Sequence, residues 1–148
     1  MFWGAFGSKR TTDLAEVPTK CDLEAYQEIL KSSLLPNAQR ISGRRWIFQQ
    51  DNASIHASKS TRKFFNAKHM RILPWPAKFP DLNPIENLWG ILVRQVYAHG
   101  KQYDTINNLK QAIIHAWSNI SPTIINNLIK SMKNRIYNTI LKQGTYTK

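Results

Sequence analysis

Acidic side chains are scarce after residue 28, which draws the eye to the few that remain. Residues 29–148 hold 18 of the 21 lysines and arginines but only Asp51, Asp81, Glu86 and Asp104 as acids, a balance of +14. Asp51 closes the stretch Trp46-Ile47-Phe48-Gln49-Gln50, whose first three residues are apolar, and Glu86 follows after 34 intervening residues. A carboxylate at the C-terminal end of a buried strand projects into the crevice where open α/β sheets bind ligands. Two carboxylates converging in a strongly positive protein suit hard divalent cations, Mg2+ or Mn2+, bridged to phosphate; the metal reconciles acidic ligands with an anionic substrate. Two such ions, roughly 3.5–4 Å apart, can activate the attacking oxygen and stabilise the leaving one in phosphoryl transfer.

Each of these residues also has a plain structural use. Glu86 stands three residues after Asn83, where the glutamate of a capping box belongs. Asp51 and Asn52 both favour turns and can simply end a strand. Asp81 caps or turns the Pro80-Asp81-Leu82 segment. His56, five residues after Asp51, can approach a metal site or serve as a hydrogen-bonded structural imidazole. Lys59, Arg62, Lys63 and Lys68 can contact phosphate, which positions DNA without reading its sequence, or form a solvated helix face. Trp75 and Trp89 read as core side chains rather than as platforms for bases.

The elements that must position these groups are legible as a strand–strand–helix–strand–helix–strand order followed by three helices, an α/β domain with a helical tail. Met1–Phe6 and Leu14–Val17 read as strands joined by the Gly7-Ser8-Lys9-Arg10 turn. Asp22 is a candidate N-cap for a helix bearing Leu23, Tyr26, Leu30 and Leu34 on one face, with Pro36 as its stop. Trp46 and Phe48 point one way and Ile47 the other, as in a strand covered on both faces. Ser58–Asn66 reads as a helix with Phe64 and Phe65 as a thin apolar face, and Met70–Leu73 as a short strand. Pro74, Pro76, Pro80 and Pro84 then impose a stiff, non-helical connector. Asn83-Pro84 starts a helix running to about Tyr97. A second places Ile106, Leu109, Ile113 and Trp117 on one stripe, and a third stacks Ile124, Leu128, Met132, Ile136 and Ile140.

Bulk properties narrow the partners. The 148 residues fit one domain and carry a formal charge of +12, so nucleic acid is the expected partner. No apolar run reaches the length of about 18 residues that a membrane span needs. Cys21 is the single cysteine, which leaves no disulfide framework and no cysteine-based zinc site.

Three stretches, read together, carry a resemblance. Gln49-Gln50-Asp51-Asn52-Ala53 with His56, then Leu73-Pro74-Trp75-Pro76, then Phe79-Pro80-Asp81-Leu82-Asn83-Pro84-Ile85-Glu86-Asn87-Leu88-Trp89, closely resemble the catalytic core of Tc/mariner DNA transposases. Trp3-Gly4-Ala5-Phe6 and the helical tail match as well, so the resemblance covers essentially the whole chain. Phe79 departs from the serine usual at that position. The resemblance implies a ribonuclease-H-like fold and an Asp–Asp–Glu triad holding two Mg2+, with Asp51 as the second aspartate and Glu86 as the glutamate. It also implies cut-and-paste cleavage and joining of DNA, a homodimer on DNA in the full-length protein, and a nuclear location. The family's first aspartate lies on a strand upstream of Trp3-Gly4. Residues 1–148 are therefore expected to be a partial catalytic domain, truncated before its first strand and inactive as an isolated chain. The alternative is a non-catalytic basic DNA-binding protein derived from a transposase.

Overall fold

The computed structural model describes residues 1–18, 21–51, 53–75 and 82–141. The chain divides into two compact units, Met1–Pro80 and Asp81–Lys148.

In the first unit, β1 (Phe2–Trp3) pairs antiparallel with β2 (Ala15–Glu16), Phe2 opposite Glu16 and Trp3 opposite Ala15. A Phe6–Thr11 bridge and a 3.0 Å hydrogen bond from Gly7 N–H to Arg10 O close the expected turn. Asp22 caps α1 (Leu23–Ile29) as the sequence predicts, its Oδ1 accepting from Ala25 N–H at 2.9 Å.

The helix does not stop at Pro36. It passes through a π-helical turn (Leu30–Leu34), closed by Leu35 N–H on Leu30 O, into α2 (Leu35–Ser42), which ends at Gly43 with φ 92°. Proline breaks a helix because it lacks an N–H and its ring crowds the carbonyl four residues back. The π turn shifts the register so that Pro36 falls in the first turn of α2, where no donor is required. The face survives: Tyr26, Leu30, Leu34 and Ala38 are buried and form a core with Phe64, Phe65 and Met70.

Residues 46–51 and 70–73 meet only at a parallel bridge, Phe48 with Ile72, through Phe48 N–H to Arg71 O and Leu73 N–H to Phe48 O, both 2.8 Å. The expected strand covered on both faces is therefore corrected. Trp46 and Phe48 pack on the core, but Ile47 is 46% exposed. Among the described residues this segment has a ladder partner on one edge only, and the face that Ile47 presents lacks the cover that a doubly buried strand needs. The short α3 (Ser54–Ala57) leads into α4 (Lys59–Ala67). Ser58 caps α4 by accepting from Thr61 N–H at 3.1 Å, and the fully buried Thr61 hydroxyl donates to Ile55 O at 2.8 Å, locking the two helices together. Phe64 and Phe65 are both buried, so the thin face suffices. Pro76, Pro80 and Asp81 lie outside the described residues.

The second unit is helical. α5 (Pro84–Val96) has Asn83 at its N-cap and Pro84 at its first position, but the Asn83 side chain makes no capping hydrogen bond. α6 (Ile106–Ser118) is capped by Thr105, whose hydroxyl accepts from Asn108 N–H at 3.1 Å, a cap missed in the sequence. Leu88, Leu92, Val96, Trp117, Ile125 and Leu128 are buried, and Trp89 stacks on Trp117 with ring centroids 4.9 Å apart. The expected stripes are buried over only part of their length: Ile106 at the start of α6 is 75% exposed. On α7 (Pro122–Leu141), Ile136 and Ile140 are 46% and 70% exposed. Arg135 of α7 hydrogen-bonds Asn87 near the start of α5, so the residues after it run past the helix that buries the beginning of α7.

Candidate metal centre

Asp51 is exposed at the end of the bridge segment. Its Oδ1 accepts from Ala53 N–H at 3.1 Å, which is the turn geometry expected of an aspartate ending a strand. The same Oδ1 contacts His56 Nδ1. His56 is in turn fixed from two sides. Its ring lies against the Tyr26 ring, centroids 4.4 Å apart, and its carbonyl accepts from Gln50 Nε2 at 3.2 Å. The Tyr26 hydroxyl donates to Gln50 Oε1 at 2.5 Å, closing a ring of contacts across α1, the bridge segment and α3. Burial pushes the Tyr26 phenol above its ordinary range, with the Asp51 carboxylate and Cys21 adding to the effect, so it stays a protonated donor.

The turn role of Asp51 does not compete with a ligand role, because both protein donors use one oxygen. His56 is neither remote nor merely packed, since it touches the carboxylate. Tyr26 and Gln50 were missed as site residues. The one clue to Tyr26 was a hydroxyl carried on a face otherwise made of leucines; Gln50 offered only its position next to Asp51.

Glu86 belongs to the other unit and sits exposed in the first turn of α5. Its backbone N–H reaches Asn83 O at 3.1 Å, but among the described residues its carboxylate accepts no hydrogen bond. The capping-box use open to it in the sequence is therefore not taken up there. Lys59, Arg62 and Lys63 follow a helical i, i+3, i+4 spacing on α4, and Lys68 lies just beyond its end. All four are exposed, and the ion pairs among the described residues are Lys31–Glu28 and His56–Asp51, so no described acid neutralises them. Asn52 lies outside the described residues. Among the described residues no group of three or more His, Cys, Asp or Glu side chains gathers around one point.

Comparison with known proteins fits this arrangement to a family. Residues 4–110 match the family model of the DDE superfamily endonucleases. The Tc3 transposable-element transposase of Caenorhabditis elegans is 46% identical over 144 residues, covering 97% of this chain and 44% of that protein. The Tcb2 transposase of Caenorhabditis briggsae is 33% identical over 148 residues, covering 100% of this chain and 54% of that protein. The chain thus spans about half the length of these relatives. Among solved structures, the Mos1 transposase paired-end complex with the left transposon end superimposes with a TM-score of 0.83 at 20% identity, over 98% of this chain and 44% of that one. The Mos1 mariner catalytic domain gives 0.72 at 17% identity, over 100% and 82%. At such identities the structures establish the fold alone, which is the ribonuclease-H-like DDE fold. The chain belongs to the DDE superfamily endonucleases. Within that superfamily it is catalytic-domain sequence of the Tc/mariner transposase kind.

Proposed function

We propose that residues 1–148, as a partial catalytic domain, supply Asp51 and Glu86 as metal-holding carboxylates of a cut-and-paste DNA transposase. The observation that carries this reading is the state of the two acids. Asp51 is held by protein donors through Oδ1 alone, and Glu86 is exposed with its carboxylate unengaged among the described residues. Both offer hard oxygen donors, which fit Mg2+ or Mn2+ as part of a larger ligand set. When bound, such ions supply charge neutralisation at the scissile phosphate and activation of the attacking oxygen. The chain's own residues do the rest: His56 and Ala53 N–H orient Asp51, and α5 carries Glu86. Lys59, Arg62, Lys63 and Lys68 offer an unneutralised face to the DNA backbone. Solved Mos1 complexes include a transposon end and Mn, consistent with these partners. A homodimer on DNA and a nuclear location complete the reading.

Expressed in its complete reading frame, the protein should cleave transposon-end DNA only with a divalent metal. Asp51→Ala and Glu86→Ala should each lower the rate on the order of 10^2- to 10^4-fold, the equivalent of losing several kcal/mol of metal-borne stabilisation. Cleavage within threefold of wild type in either variant would remove that carboxylate from the centre. Salt-sensitive DNA binding with no cleavage in any divalent metal would select the passive binder instead.

A further inference from the structure

Asp51 Oδ1 meets two protein groups, Ala53 N–H at 3.1 Å and His56 Nδ1, while Oδ2 has no partner among the described residues. A carboxylate offers about two lone-pair sites on each oxygen. Two donors therefore saturate Oδ1 and leave Oδ2 as the free ligand atom. For Nδ1 to donate to an ionised carboxylate the proton must sit on that nitrogen, and the surroundings of His56 fix which way the nitrogen faces. Its ring is held against Tyr26, 3% exposed in α1, and its carbonyl is held by Gln50, which Tyr26 also holds. A solvated histidine five residues from an aspartate would have no reason to be anchored from a separate helix.

We propose that His56 is the positioning residue of Asp51: braced by Tyr26 and Gln50, it occupies Oδ1 and thereby presents Oδ2 as a single-oxygen ligand to a divalent metal. This rests on the reading of Asp51 as a metal ligand. Hydrogen-bonding partners of metal ligands are worth about 10- to 100-fold in metal affinity or activity, and His56 falls in that class. In this proposal the imidazole acts through its Nδ1–H donor, the ring nitrogen that meets the carboxylate.

Mn2+ titration of the 148-residue chain by calorimetry, alongside thermal melting of each variant, tests the proposal. His56→Phe keeps an aromatic ring against Tyr26 and removes the donor; it should weaken Mn2+ binding about 10- to 100-fold with little change in melting temperature. His56→Asn returns an amide N–H near the Nδ1 position and should recover most of the affinity. Tyr26→Phe leaves every group touching Asp51 in place but unties Gln50, so a loss of only a few-fold is expected; this variant serves if His56→Phe does not fold. Mn2+ affinity that collapses in Asp51→Ala but stays within twofold of wild type in both His56→Phe and Tyr26→Phe would overturn the positioning role while leaving the ligand reading intact. So would His56→Asn binding as poorly as His56→Phe. Mn2+ binding indifferent to Asp51→Ala would sink the ligand reading and the proposal together.

Discussion

Asp51 is tied into the first unit through His56, Gln50 and Tyr26, whereas Glu86 stands on the first turn of α5 with its carboxylate unengaged among the described residues. The two acids proposed as metal ligands are thus placed by different physics. Asp51 ends a segment that has a single bridge for a ladder, so the backbone alone orients it weakly and side chains from other elements finish the task. Glu86 needs no such brace, because a helix start fixed by Pro84 and buried through Leu88, Leu92 and Val96 already fixes its Cα. Glu86 should therefore be sensitive to the core of its unit and indifferent to its immediate neighbours. Asp51 should show the reverse.

The harshest way to break that contrast is to damage the helical core. Trp117 is 2% exposed and stacked on Trp89, so Trp117→Ala should cost about 3–5 kcal/mol of the second unit's stability. Urea unfolding followed by α-helical circular dichroism measures it. A loss below about 1 kcal/mol would mean that α5 is held by something other than this packing.

Next in size is a glycine on the other side of the comparison. A Cβ at Gly7 would lie 2.6 Å from Ile41 O and 1.9 Å from Ser42 Oγ, and Lys9 N–H donates to Ile41 O at 2.9 Å. The serine can rotate away but the carbonyl cannot, so the hairpin tip must lift from the end of α2. Gly7→Ala should destabilise the first unit by about 1–3 kcal/mol in the same urea assay. Unchanged stability would show that the tip is loosely seated.

Tyr26 gives a smaller effect with a distinctive pH signature. Its phenol is raised above the ordinary value near 10 chiefly by burial and next by the Asp51 charge. A group raised in the folded state contributes stability that is fully present below its unfolded pKa and is lost as pH climbs above it. Stability of the wild type should therefore fall more steeply above about pH 10 than that of Tyr26→Phe. At neutral pH the variant should lose about 0.5–1.5 kcal/mol for one hydrogen bond. Absorbance titration should show one of the five tyrosines ionising after the others, and that late step should vanish in Tyr26→Phe. Parallel curves for the two proteins would argue against a buried Tyr26.

Much of this architecture could be read from residue types, and the misreadings share a cause. The cap at Asp22, the helix start at Asn83-Pro84 and the leucine face of α1 follow from local chemistry that the sequence displays directly. Pro36 misled because a π turn, invisible in composition, absorbed it. The segment at Trp46–Phe48 alternates as a fully covered strand would, yet cover depends on which neighbours exist, and periodicity carries no record of neighbours. The same limit hid the brace on Asp51. His56 was near enough in sequence to suspect, but Tyr26 reaches the site from 24 residues before Gln50, through a contact that only tertiary structure makes.

The smallest predicted effect is the one that discriminates best between the two acids. Asp51→Ala removes the acceptor of two protein donors and should cost about 1 kcal/mol, a charged hydrogen-bond acceptor discounted for its exposure. Glu86→Gln keeps size and helix propensity, removes only a carboxylate charge beside a helix N-terminus, and should change stability by no more than about 0.5 kcal/mol. Its Mn2+ affinity should nevertheless drop, because the neutral amide is a poorer ligand for a hard cation. A residue whose loss leaves the fold untouched and the metal unbound is kept for the metal. If Glu86→Gln instead destabilises the chain as much as Asp51→Ala does, its carboxylate is doing structural work at the start of α5 and the contrast between the two acids disappears.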